Sequence, residues 1–124
     1  MVEFESLHSS LHGLAGVHSA QQWGANMVYK VGGKVFFLAD VPASSIDHLV
    51  FKVPKEIFSE LTDREGIIQA PYFAKGQWVQ VHHSAHYSKA ELLGWYQTSY
   101  QLVLASHTKK AQGAIEAAGI LPFE

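Results

Sequence analysis

Asn26-Met27-Val28-Tyr29-Lys30-Val31-Gly32-Gly33-Lys34-Val35-Phe36-Phe37-Leu38-Ala39-Asp40 is the stretch on which the fold of this chain turns. Two runs rich in β-branched and aromatic residues flank a Gly-Gly pair, which supplies the positive φ angles of a type I′ turn. The stretch therefore reads as two antiparallel strands with a two-residue loop. That loop sets a register in which Tyr29 opposes Phe36 and Met27 opposes Leu38.

Upstream, Phe4, Leu7, Leu11 and Leu14 recur at three- and four-residue steps and form one apolar stripe on a helix, stopped by Gly16. Downstream, Pro42-Ala43-Ser44-Ser45 is a turn cluster, and Asp47 to Val53 alternates as a third strand. Pro54 opens a short helix containing Ile57, Phe58 and Leu61. Ile67 to Phe73 contains Pro71, so any strand there is short or at an edge. Lys75-Gly76 makes a second turn before a strand over Gln77 to His82. Ser88-Lys89-Ala90-Glu91 is a capping box opening a helix to about Ala105, and Thr108 to Ala118 reads as a last helix ended by Gly119. Grouped strands without βαβ alternation point to an α+β fold of two layers, a five-stranded antiparallel sheet with helices packed on one face.

Alternation sorts the two faces of that sheet. Met27, Tyr29, Phe36, Leu38, Leu49, Phe51, Val53, Val79 and Val81 belong to the core under the helices. The second face carries Val28, Lys30, Val35, Phe37, His48, Val50, Lys52, Trp78, Gln80 and His82. Rings that stack beside lysines that attract anions make this mixed face a binding surface. The competing expectation is that the C-terminal helix or a second copy of the chain covers it.

The 124 residues fit a single domain over 1–124, and a hydrophobic fraction of 48% suits an ordinary globular core. There is no cysteine, which excludes thiol catalysis, thiolate metal sites and disulfides. No apolar run approaches the roughly 20 residues of a membrane helix. The acidic start Met1-Val2-Glu3-Phe4-Glu5 is unlike a secretory signal, so the expected compartment is the cytoplasm, with no membrane partner. A net charge of −2 and a pI of about 6.4 weigh against strong non-specific nucleic-acid binding, though not against a local basic patch.

Ordered motifs carry a family resemblance. Gly16-Val17, Trp23-Gly24 and Tyr29-Lys30-Val31-Gly32-Gly33-Lys34-Val35-Phe36 are followed by Leu49-Val50-Phe51-Lys52, Tyr72-Phe73, Lys75, Trp78-Val79 and Ser99-Tyr100. The set resembles the MmcQ/YjbR family from about Leu7 to Val103. The resemblance implies an α-β-β-β-α-β-β-α order of the CyaY-like or secretion-chaperone-like kind, and DNA binding through two wings. The wings fall on Val31–Val35 and Ala74–Trp78, so the implied nucleic-acid contacts are Lys30, Gly32, Gly33, Lys34, Lys52, Lys75, Gly76 and Trp78. Past Val103 the chain departs from the family, with Ser106-His107-Thr108-Lys109-Lys110 in place of a Leu-Pro element. The alternative function is a protein-interaction or adaptor module, dimeric or with a protein partner, that uses the mixed face. The alternative use of the lysines is to keep hairpin tips soluble and blunt the sheet edges.

No enzyme signature emerges. There is no Gly-x-Ser-x-Gly elbow, and Gly32-Gly33-Lys34 lacks phosphate-loop spacing and runs into a strand. Glu56, Glu60, Asp63 and Glu65 cluster about the short helix and read as solvent-facing. The expectation is a non-enzymatic protein with no cofactor. Eight histidines are many for this length. His8 and His12 stand one helical turn apart, and His82, His83 and His86 lie near a strand end. Neighbours on a strand point to opposite faces, so His82 and His83 are not expected to share an ion, and the histidines read as surface or partly buried residues with no metal site. Trp23, Trp95 and Tyr100 read as core, as do Leu92, Leu93, Tyr96 and Val103 on one helical stripe. A buried Tyr100 hydroxyl then needs a partner, and Ser99 is placed to cap a backbone carbonyl.

Overall fold

The Gly32-Gly33 turn forms with φ values of +57° and +80°, and Val31 pairs with Lys34 across it. The strands it joins are β2 (Asn26–Val31) and β3 (Lys34–Asp40) of a computed structural model that describes residues 3–43 and 45–120. Met1 and Val2 of the acidic start and Ser44 of the turn cluster lie outside the described residues. Around the hairpin stand α1 (Phe4–His12), β1 (Val17–Gln22), β4 (His48–Lys52), α2 (Lys55–Thr62), β5 (Ile67–Gln69), β6 (Trp78–His82), α3 (Lys89–Ala105) and α4 (Lys109–Ala118).

The fold is α+β, with an antiparallel sheet in the order β1-β2-β3-β4-β6-β5. The sheet has six strands, not five. The additional one is β1, which pairs with β2 from Val17↔Val31 to Gln22↔Asn26. Its sequence, Val-His-Ser-Ala-Gln-Gln, buries only Val17. An edge strand of this kind is held by backbone pairing and carries no apolar alternation to read. The first helix also ends earlier than expected, at His12 with Gly13 as cap, which leaves Gly16, at φ +72°, in the turn that leads into β1.

The hairpin register departs from simple alternation at one point. Beyond Lys30↔Val35 the next pair is Tyr29↔Phe37, so Phe36 is an extra residue in β3. Such a bulge places two successive side chains on one face. Phe36 and Phe37 both enter the helix-side core, and Leu38 moves to the opposite face beside Val28 and Val50. The expected assignments of Phe37 and Leu38 are thus exchanged. Met27 opposes Ala39 instead of Leu38.

A bulge leaves ladder groups unpaired, and here a side chain pairs them. Ser99, fully buried on α3, accepts from the Lys52 backbone N–H at 2.9 Å and donates to the Phe36 carbonyl at 2.6 Å. Tyr100 donates to the Ala15 carbonyl at 2.6 Å, tying α3 to the entry of β1. Both expected partnerships therefore exist. The α3 stripe buries Leu92, Trp95, Tyr96, Tyr100 and Val103 against Phe36, Phe37 and Phe51, while Leu93 faces out. The expected capping box closes, with Glu91 N–H donating to Ser88 Oγ and Ser88 N–H donating to Glu91.

Candidate functional site

The sheet face away from the core carries a short apolar cluster of Val28, Leu38, Val50 and Ala70, with Val35, Phe73 and Trp78 packed against it. Its cover within the chain comes from the β5–β6 connection and not from the C-terminal helix. The β5–β6 connection folds across one side of the face and packs Phe73 against Trp78, with ring centroids 4.7 Å apart and tilted by 36°. Gln69 organises that connection. Its Nε2 donates to the carbonyls of Ala70 and Phe73 at 2.9 and 3.3 Å, and its Oε1 accepts from Gly76 N–H at 2.9 Å.

Beside this cover a groove of about 640 Å³ stays open. Leu38 and Val50 form its floor, and Asn26, His48 and Gln80 add polar groups. Trp23, from the β1–β2 turn, stands on one rim. Pro71, Tyr72 and Phe73 stand on the other. Trp23 is 63% exposed and Tyr72 wholly exposed, so the core reading of Trp23 is corrected. Trp23 and Tyr72 have left-handed backbone, φ +51° and +69°, and they are the only non-glycine residues among those described with positive φ. That conformation costs an L-residue about 1–3 kcal/mol, and such strain gathers at ligand sites. The Asn26 Nδ2 holds the Trp23 carbonyl at 2.8 Å, while its buried Oδ1 lacks a hydrogen-bond partner.

The residues expected to contact nucleic acid separate into two groups. Lys52 pairs with Trp78 across β4 and β6, and Lys30 pairs with Val35 across the hairpin. Lys30, Lys52 and Trp78 therefore share the groove's face, at its other end. Lys75 and Gly76 lie in the adjoining β5–β6 turn, where Lys75 is exposed. At a strand rise of roughly 3.3 Å per residue, Lys30 lies about 13 Å along β2 from Asn26.

Gly32, Gly33 and Lys34 form the second group, at a tip that is occupied. The Lys34 ammonium donates to Ser106 Oγ at 3.0 Å and to the Ser106 carbonyl at 3.3 Å. His107 Nε2 reaches the Val31 carbonyl at 3.0 Å, and a Cβ on Gly32 would meet the His107 ring at 2.5 Å. Ser106-His107, the segment departing from the family pattern, thus caps the first wing.

At the other end of the groove the face becomes acidic and histidine-rich. Asp40 pairs with His48, and His48 with His82. His48 Nδ1 donates to Asp47 Oδ2 at 2.9 Å and lies 3.5 Å from Asp40 Oδ2. This hydrogen bond, with the nearby imidazoles, holds the Asp47 carboxyl below its ordinary range. His8 and His12 are engaged elsewhere, with Tyr29's hydroxyl 2.8 Å from His8 and Ser19's 2.7 Å from His12. Burial lowers the pKa of His8 and raises that of Tyr29. The carboxylates near α2 include one in a structural pair: Arg64 bridges Glu60 at 3.1 Å and Glu91 at 2.7 Å.

A family model described as YjbR matches residues 12–102, well over half of the chain. The chain belongs to the YjbR family. Two solved structures share the fold of this YjbR protein. The Deinococcus radiodurans protein DR2400, with domain DUF419, superposes at a TM-score of 0.81 with 22% identity, covering 90% of this chain and 86% of that one. A Pseudomonas syringae protein superposes at 0.66 with 16% identity, covering 82% of this chain and 99% of that one. No curated protein matches. Within this YjbR chain, both residues of the Ser99-Tyr100 motif have structural work: Ser99 pairs the bulge and Tyr100 anchors β1. Among the described residues no helix is long and apolar enough to cross a membrane.

The groove residues Trp23, Asn26, His48, Tyr72, Phe73 and Gln80 were not foreseen as a set. The signal was present in part, as two aromatics in short turns next to Gly24 and Pro71. Only the folded β5–β6 connection brings them together.

Proposed function

We propose that this YjbR protein is a non-enzymatic binding module that takes unpaired nucleic acid on the open sheet face. The observation that carries the proposal is the groove framed by Trp23 and Tyr72 on the face that also bears Lys30 and Lys52. Unpaired bases stack on rings, at about 1–3 kcal/mol per base, while lysines follow the backbone. Asn26, His48 and Gln80 offer hydrogen bonds to a base edge. Duplex binding by two wing tips has less support, because Lys34 at the first tip is already bonded to Ser106.

Fluorescence anisotropy of a labelled single-stranded oligonucleotide tests the reading. Wild type is expected to bind, Trp23→Gly and Tyr72→Gly to lose about tenfold or more each, and Lys52→Glu to weaken binding as well. Undiminished affinity in both groove variants would remove the proposal. An apolar protein segment in the same groove would instead appear as competition by peptide with no response to oligonucleotide.

A further inference from the structure

We propose that Asp47, His82 and His83 form a binding site for a divalent transition-metal ion of the zinc class. One carboxylate oxygen and two imidazole nitrogens from these residues lie within 4.8 Å of one another. Small side-chain rotations bring ligands so placed to the roughly 2.0–2.2 Å bonds of zinc. The adjacent histidines are able to converge because β6 ends at His82. His83 already belongs to the following turn, and the two rings lie 4.1 Å apart.

The backbone fixes this arrangement. His83 N–H donates to the Asp47 carbonyl at 2.9 Å, and Asp47 N–H to the Asp40 carbonyl at 2.7 Å. Three ligands therefore start from chain segments tied to one another, which reduces the ordering that binding must impose.

A supporting shell also exists. Metal-bound carboxylates and histidines are oriented by hydrogen bonds from their unused atoms. His48 Nδ1 donates to Asp47 Oδ2 and leaves the other oxygen for the ion. The Ser84 hydroxyl lies 2.8 Å from His82 Nδ1 and the Ser84 backbone N–H donates to the same nitrogen at 3.2 Å, which fixes the orientation of the ring. Imidazole with carboxylate suits zinc, nickel or copper better than magnesium or calcium. Two imidazoles and one carboxylate leave at least one coordination position for water or a ligand. His48, which orients Asp47, also lines the groove, while Asp47 and His83 line a separate neighbouring pocket.

Titration calorimetry of the full chain with zinc chloride tests the site. One ion per chain is expected, with binding lost in Asp47→Asn and His83→Ala and weakened about 10- to 100-fold in His48→Ala. His83 is exposed, so its variant keeps the fold, to be checked by an unchanged circular dichroism spectrum. Loss of binding in His8→Gln with retention in His83→Ala would overturn the assignment. So would the absence of saturable binding to the folded wild type.

Discussion

Replacing Ser99 with alanine removes one oxygen atom and strands two buried backbone groups. The Lys52 N–H and the Phe36 carbonyl both depend on that hydroxyl, at 2.9 and 2.6 Å, and the residue has no exposed surface. An unsatisfied buried donor or acceptor costs about 1–3 kcal/mol, so the pair amounts to about 2–4 kcal/mol after partial relaxation. The hole left is too small to admit a bridging water. In a chain of this size the loss lowers the melting temperature by roughly 10 °C. Urea denaturation should show the midpoint falling with an unchanged slope, and amide exchange at Lys52 should accelerate. The exposed neighbour Thr98→Ala should change stability by less than about 0.5 kcal/mol. A Ser99→Ala loss below about 1 kcal/mol, or an unaltered Lys52 amide, would refute the view that this hydroxyl closes the bulge.

Other perturbations separate strain, docking and titration. Trp23→Gly relieves left-handed backbone and should leave stability unchanged or raised by up to about 1 kcal/mol, by thermal melting, while ligand affinity falls. Gly32→Ala should detach α4 before it unfolds the sheet, because the new Cβ would stand 2.5–2.7 Å from His107 and Ile115; protection of α4 amides should fall ahead of those in β3. Burial lowers the pKa of folded His8 below 6.5, so its contribution to stability is fully present above that pH and is lost as pH falls through the folded value. His8→Gln should accordingly flatten the fall in melting temperature between about pH 7 and pH 5.

Much of this architecture was legible from local chemistry. Gly32-Gly33 forced the turn, Ser88 and Glu91 fixed the start of α3, and Pro71 kept β5 short. What escaped depends on long-range contacts. Nothing near Phe36 signals a bulge, since the hydroxyl that pairs it lies 63 residues away. β1 escaped because its polar side chains carry no period. His82 and His83 were separated by an alternation rule that ceases where the strand does. The open face was assigned correctly at Lys30, Val50, Lys52 and Trp78, yet its groove required the β5–β6 connection that Gln69 holds in place.

Under the proposed function the open sheet face, and not the wing tips, receives the ligand. Titrating a labelled oligonucleotide, single-stranded and as a duplex, at two salt concentrations tests it most directly. Engagement of Lys30, Lys52 and Lys75 predicts that single-strand affinity falls about 20-fold between roughly 50 and 200 mM salt, with duplex binding weaker at both. Preferential duplex binding that survives Trp23→Gly and Tyr72→Gly but fails in Lys34→Glu would contradict the account.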